Sequence, residues 1–210
     1  MTDVSPDAMS PDAVSPDAVS PDAVSPDAVS PDAVSPDAVS PDAVSVRRVV
    51  VQDAERLRSV RLAALAESPS AFASSYAGEA AQPPEFWRGR ATGAPDRVDL
   101  FAVVGAAQEV VGLCGCWVSA SEPRVAEVVS MWVDPVARGR GVARSLVEAA
   151  VAWADAAGAD HVELWVSRGN GDAIAAYTTL GFEGIGVEHL DVAATDASPC
   201  RTELRMRLRR

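Results

Sequence analysis

The chain contains no lysine; all 18 of its basic side chains are arginine. A nucleoside-triphosphate P-loop ends in Gly-Lys-Ser/Thr, so this absence excludes that class of phosphate site. Histidine (two) and cysteine (three) are also scarce among the 210 residues. His161 and His189 are isolated, and Cys114-Gly115-Cys116 is not a metal-ligand spacing, so no metal is expected. Alternation along a strand would instead point Cys114 and Cys116 the same way, as buried thiols in a reducing cytosol. No apolar run approaches the length of a membrane-spanning helix, and the amino terminus lacks the basic start and apolar core of a secretory signal. The expectation is a cytoplasmic protein with no membrane partner.

Aromatic side chains are missing from the amino-terminal stretch, where Ser5 to Val44 repeat Ser-Pro-Asp-Ala-Val, with Met9 once in place of valine. Each unit resembles a helix start, but the next proline arrives before a helix can form. With like charges and no large apolar groups, the repeats cannot offset their ordering entropy. Residues 1–45 are therefore read as a disordered acidic tail and 46–210 as one folded domain. Nine aspartates, from Asp3 to Asp42, carry most of the formal charge of -12, which leaves about -3 for the rest. That balance offers no clustered cations for binding nucleic acid.

The most informative stretch is Glu127 to Ala143, EVVSMWVDPVARGRGVA. Its β-branched and aromatic residues predict a strand ending near Val133, before Asp134-Pro135. After Arg138-Gly139-Arg140-Gly141, apolar positions Leu146, Ala150, Trp153 and Ala157 recur as on one face of a helix that starts at Val142. A glycine loop entering a helix places unpaired N–H groups and the positive end of the helix dipole where a phosphate can bind. A dinucleotide fingerprint is disfavoured because Arg144 stands where its third glycine belongs.

What remains is R-x-x-G-x-A, here Arg138, Gly141 and Ala143, directly after a strand. A second block follows one helix later: Glu163-Leu164-Trp165-Val166, then Asn170, Ala173, Tyr177 and Leu180-Gly181-Phe182. In this order and spacing the two blocks resemble the GCN5-related N-acetyltransferases, from about Val46 to Arg209. The resemblance implies an acyl-CoA N-acyltransferase type of fold: α/β (α+β), with a mixed, mostly antiparallel central sheet and helices on both faces. Local patterns agree. They predict a strand at Val46–Val51, a helix capped by Asp53 and stopped by Pro69, and short helices between Ser70 and Arg90. A hairpin joins 98–104 to 109–119 across Gly105 to Gln108, the run at 126–133 continues the meander, and His161–Val166 is a further strand. A helix over Ala173–Leu180 precedes two last strands, Gly184–Val192 and Arg201–Leu208.

The resemblance further implies that acetyl-CoA is the cosubstrate, with its pyrophosphate on backbone groups of Gly139, Arg140, Gly141, Val142 and Ala143. Met131, Trp132 and Val133 would pair with pantetheine like an added strand, Arg138, Arg140 and Arg144 would add positive charge, and Asn170 and Ala173 would hold the cofactor arm. Tyr177 would be the general acid: a phenol with reference pKa near 10 can return a proton to a thiolate without ionising itself. Ribosomal-protein alanine acetyltransferases carry a glutamate twelve residues before this tyrosine, where this chain has Trp165. Glu127 is the preferred base, acting through water, and Glu163 the competitor. The expected acceptor is a primary amine of a small molecule or a protein, the expected assembly a monomer or homodimer. Glu79, Glu85 and Glu127 would favour a cationic acceptor if they share one cleft. The alternatives to an enzyme are a non-catalytic acyl-CoA sensor and a scaffold recruited through the repeats.

Overall fold

The computed structural model describes residues 43–105, 107–190 and 201–209. The repeats up to residue 42, Ala106, Val192 and Cys200 lie outside the described residues.

Among the described residues seven strands form one sheet, in the order β1-β2-β3-β4-β5-β7-β6. They are β1 (Val44–Arg48), β2 (Arg97–Val104), β3 (Glu109–Val118), β4 (Val125–Val133), β5 (His161–Ser167), β6 (Phe182–Leu190) and β7 (Arg201–Leu208). Every neighbouring pair is antiparallel except β4 and β5. That parallel pair needs a crossover, which α4 (Val142–Ala156) supplies. The remaining helices are α1 (Ala54–Glu67), α2 (Tyr76–Ala80), α3 (Pro84–Thr92) and α5 (Gly171–Thr179).

Strand alternation divides the core between the two sheet faces. Cys114, Cys116, Ala126, Val128, Val162 and Leu164 pack with Val142, Leu146, Ala150 and Trp153 of α4, and α5 joins the same side. On the opposite face Leu57 of α1 and Trp87 of α3 pack against Phe101 and Leu113. Each such large apolar side chain, fully buried, contributes roughly 1.5–3 kcal/mol, so both helix layers are held mainly by packing. The sheet with helices on both faces is the expected architecture.

Three local expectations are corrected. The first strand starts at Val44, pairing with Val104, and Val51 already opens a 3-10 turn. Asp53 occupies the N-cap position of α1 without capping it: its carboxylate accepts from both Arg47 Nη atoms, at 2.6 and 2.8 Å, and from the Val50 N–H at 3.0 Å. Ala157 is the exposed C-cap of α4, and Ala154 takes the buried position expected of it.

A bulge interrupts β4. Gly115 pairs with Val129 and Leu113 with Trp132, so two residues of β4, Ser130 and Met131, oppose Cys114 alone. Ser130 has φ +57°, a left-handed conformation that costs a serine about 1–2 kcal/mol. The extra residue inverts the facing of the strand: Ala126 and Val128 before it, and Met131 and Val133 after it, all lie on the α4 side. Trp132 turns to the other face, among Leu62, Leu65 and Phe72. The last β4–β5 pair is Val128 with Leu164, two positions before Ser130, so the strands part where the bulge begins.

Candidate active site

Where β4 leaves β5, a groove of about 660 Å³ runs along the sheet. Met131, Trp132 and Val133 form one wall, the loop and first turn of α4 a second, and one side of α5 a third. Of the residues expected at a cofactor site, Arg138, Gly139, Gly141, Val142, Ala143, Arg144, Asn170, Ala173 and Tyr177 line this groove together with the three strand residues. Arg140 is exposed and is not part of its wall.

The loop has a definite local cause. Asp134 accepts the Val136 N–H at 3.0 Å and starts a 3-10 turn, Pro135–Ala137, that turns the chain away from the sheet. Gly139 and Gly141 then take φ +76° and +83°, values that side chains bearing a Cβ avoid. Space around both is open, so backbone conformation rather than crowding selects glycine. The first N–H groups of α4 have no intrahelical acceptor and Gly141 supplies no side-chain cap, which leaves donors for an anion at the groove. Arg138 is held at its edge, its Nε donating to the Val133 carbonyl at 3.2 Å and its Nη2 to Glu67 Oε1 at 2.9 Å. Trp132 Nε1 donates to the second oxygen of Glu67 at 3.3 Å. The hydrogen bond from Ser68, with those from Arg138 and Trp132, holds the Glu67 carboxyl below its ordinary range despite partial burial. Glu67 thus ties the end of α1 to both the strand and the loop.

Asn170 is the N-cap of α5, its Oδ1 accepting the Ala173 N–H at 3.1 Å. The turn role and a ligand role are compatible, because the cap uses the oxygen and leaves the NH₂ group as a donor. Two turns on, Tyr177 packs edge-to-face on Phe182, with ring centroids 5.8 Å apart. Burial raises its phenol well above the ordinary value, and the nearby Cys114 thiol adds to this. The hydroxyl therefore stays protonated at neutral pH.

Glu127 lies elsewhere. It lines a smaller pocket of about 300 Å³, with Trp117, Glu122, Glu163, Trp165 and Arg205 among its neighbours. Register puts Glu127 beside Glu163 and Trp117, on the sheet face opposite the Ala126 and Val128 side chains that pack on α4. Burial raises its carboxyl; Arg205 acts against that rise, and the carboxylates Glu163, Glu122 and Glu203 add to it. Glu163 has a different fate: it is 1% exposed and ion-paired with Arg205 and Arg207, the latter through Nε at 2.7 Å. Trp165 lies under the Arg205 guanidinium, 5.3 Å from its ring centre. Glu79 and Glu85 do not share this pocket: Glu79 is buried against Arg61, and Glu85 is exposed beside Arg88.

Neither described cysteine suits nucleophilic catalysis. Both are buried and free of disulfides; burial pushes Cys114 well up and Cys116 up to about 12. At neutral pH they remain thiols. His161 is exposed at the start of β5. Among the described residues no group of three His, Cys, Asp or Glu side chains is arranged to hold a metal ion, and no helix is long and apolar enough to cross a membrane.

Sequence reasoning missed Glu67, whose partners lie 65 and 71 positions away, and the Ser130 bulge. It also did not name Ser68 as a groove residue; the resemblance implies that the region from Ser70 to Arg90 forms part of the acceptor wall, and Ala71 and Phe72 of that region line the groove. Asn170, between Gly169 and Gly171, is legible in the sequence as a turn residue, but its capping of α5 is not.

The sequence matches the model of the acetyltransferase (GNAT) family over residues 62–182. An uncharacterized N-acetyltransferase of Methanocaldococcus jannaschii is 42% identical over 89 residues, covering 40% of this chain and 39% of that protein. A mycothiol acetyltransferase of Beutenbergia cavernae is 36% identical over 75 residues, covering 36% of this chain and 25% of that protein. The chain thus spans well under half the length of these curated relatives. Among solved structures, a GNAT-family acetyltransferase from Streptococcus pneumoniae has a similar fold, with a TM-score of 0.63 at 17% identity over 79% of this chain and 98% of that one. A glycine loop opening α4, a sheet parted at β4 and β5, and a family match over more than half its length together establish that the chain belongs to the acetyltransferase (GNAT) family.

Proposed function

We propose that this protein is an N-acetyltransferase that moves an acetyl group from acetyl-CoA to a primary amine of a small molecule or a protein. The observation that carries the reading is the single groove in which the parted strand, the glycine loop and Tyr177 meet. The donor set fits the cosubstrate: N–H groups at the start of α4, with Arg138 and Arg144 alongside, suit a pyrophosphate, and the β4 edge beyond Val128 suits an extended amide-bearing arm.

Chemistry follows from the proton states. The amine nitrogen attacks the thioester carbonyl, the C–N bond forms, and the C–S bond breaks as the tetrahedral intermediate collapses. Tyr177, kept neutral by burial, gives its proton to the departing sulfur. The proton shed by the amine passes through water to Glu127, whose raised pKa makes it a stronger base than an ordinary glutamate. Glu163 is not assigned this role because two arginines already hold its carboxylate. Direct attack is favoured over an acyl-cysteine intermediate, since Cys114 and Cys116 are not thiolates.

Tyr177→Phe tests the reading. It keeps the ring packed on Phe182 and removes only the donor. Single-turnover transfer should fall by roughly 10²–10⁴, while the acetyl-CoA Kd measured by calorimetry changes little. Unchanged chemistry would remove Tyr177 from the mechanism, and lost binding would recast it as a contact to the cosubstrate.

A further inference from the structure

We propose that a buried chain of four charges, Arg61–Glu79–Arg90–Asp99, is a positioning device that fixes the Ser130 bulge and thereby the place where β4 and β5 part. The proposal rests on the acetyl-CoA reading of the groove and adds residues on the other face of the sheet that do not line that groove. Arg61, Glu79 and Asp99 are 5%, 8% and 3% exposed, and the Arg90 side chain is 10% exposed. They come from α1, α2, α3 and β2, so four elements converge. Arg61 donates from Nε and Nη2 to Glu79 Oε1 at 3.0 and 2.9 Å, and Arg90 Nη1 stands 3.8 Å from Glu79 Oε2. Arg90 Nη2 then divides its hydrogen bonds between Asp99 Oδ1, at 3.1 Å, and the Ser130 hydroxyl, at 3.3 Å.

Arg97, partly exposed, also stands 3.6 Å from Asp99 Oδ2, so three arginines face two carboxylates, and burying such a cluster contributes little net stability compared with an apolar filling. What such a network can provide is one geometry rather than several where its members are hydrogen-bonded: Arg61 Nη1 is buried with no hydrogen-bond partner among the described residues, whereas the Arg90 end that bears on the bulge is bonded to both Asp99 and Ser130. Here the fixed geometry is that of a serine in a left-handed conformation. Gly115, which pairs with Val129 just before the bulge, makes room for the arrangement: a Cβ there would stand 3.1 Å from Asp99 Oδ1 and 3.0 Å from the Val129 side chain. Because the bulge inverts the facing of Met131 to Val133, a slip at Ser130 would rotate the groove wall and not merely loosen it.

The test uses the full chain and [1-¹³C]acetyl-CoA, so no acceptor need be known. Ser130→Ala deletes the Arg90 contact without stranding a charge; Arg90→Gln is the companion variant, and Ser130→Ala decides if that one fails to fold. In the wild type the bound carbonyl should give one narrow ¹³C line. In Ser130→Ala the line should broaden or split, while the Tm stays within about 2 °C and the Kd for CoA within about twofold. A single line at the wild-type position in Ser130→Ala would overturn the proposal. So would CoA affinity and Tm falling together, which is the signature of an ordinary structural role. Absence of acetyl-CoA binding by the wild type would overturn the acetyl-CoA reading as well, a different result from unchanged spectra in a variant that binds.

Discussion

Glu127 and Glu163 stand side by side on parallel strands, and their surroundings give them opposite properties. Glu163 is locked by Arg205 and Arg207; Glu127 is partly desolvated among other carboxylates and held higher than a normal glutamate. A carboxyl whose pKa is raised on folding disfavours the fold once it ionises, so stability is lost as pH rises through the folded-state value. Glu127→Gln should therefore be at least as stable as the wild type at pH 7 and yet slower, by about 10²-fold if Glu127 is the base. The acidic limb of the wild-type kcat/KM profile should lie above the 4.5 of an ordinary glutamate and disappear in the variant, leaving the titration of the acceptor amine. An unchanged profile in Glu127→Gln, measured from pH 5 to 9, would assign the base elsewhere. Residues of this kind were only half legible in the sequence. Tyr177 and Gly141 sit in local motifs, whereas Arg61, Glu79, Arg90 and Asp99 acquire meaning only when three successive helices and β2 converge beside Ser130.

Among the elements, the turn into α4 carries the clearest consequence. Gly141 has φ +83° and open space around it, so a side chain there would strain the loop and occupy the position proposed for the pyrophosphate. Gly141→Asp adds a negative charge as well. Calorimetry on the folded variant should show acetyl-CoA affinity reduced by at least about 100-fold; retained affinity would place the phosphates away from this loop. The strand, loop and helix were readable because apolar periodicity, Asp-Pro and paired glycines all act over short range. The bulge was not, since nothing in Val128-Val129-Ser130-Met131-Trp132 distinguishes Ser130 from an ordinary strand residue. Asp53 was read as a cap because its position fits one; Arg47, six residues earlier, outcompetes the helix N–H groups for its carboxylate. That ion pair lowers the Asp53 pKa, first through its hydrogen bonds.

Over the whole molecule, the number of strands and the crossover between β4 and β5 could be inferred from the chain, but the position of β7 between β5 and β6 is a long-range pairing that no local signal encodes. The same order puts Arg205 and Arg207 beside Glu163 and so decides which glutamate stays unpaired by arginine. The result is a sheet that parts beyond Val128 and Leu164, with a groove at the parting lined by Met131, Val133 and Tyr177 from the α4 side and by Trp132 and Phe72 from the other, and with the Glu127 pocket on the face opposite α4. The central claim is that acetyl transfer takes place at that parting. It is tested most directly by presenting the full chain with acetyl-CoA and a panel of primary amines and peptides with free amino termini, and measuring free thiol together with the acetylated product. The account predicts amine-dependent thiol release, matched mole for mole by N-acetylated product, for at least one acceptor, and its loss in Tyr177→Phe. Acetyl-CoA binding without release for any amine in the panel would contradict it and leave a protein that senses the cosubstrate without using it.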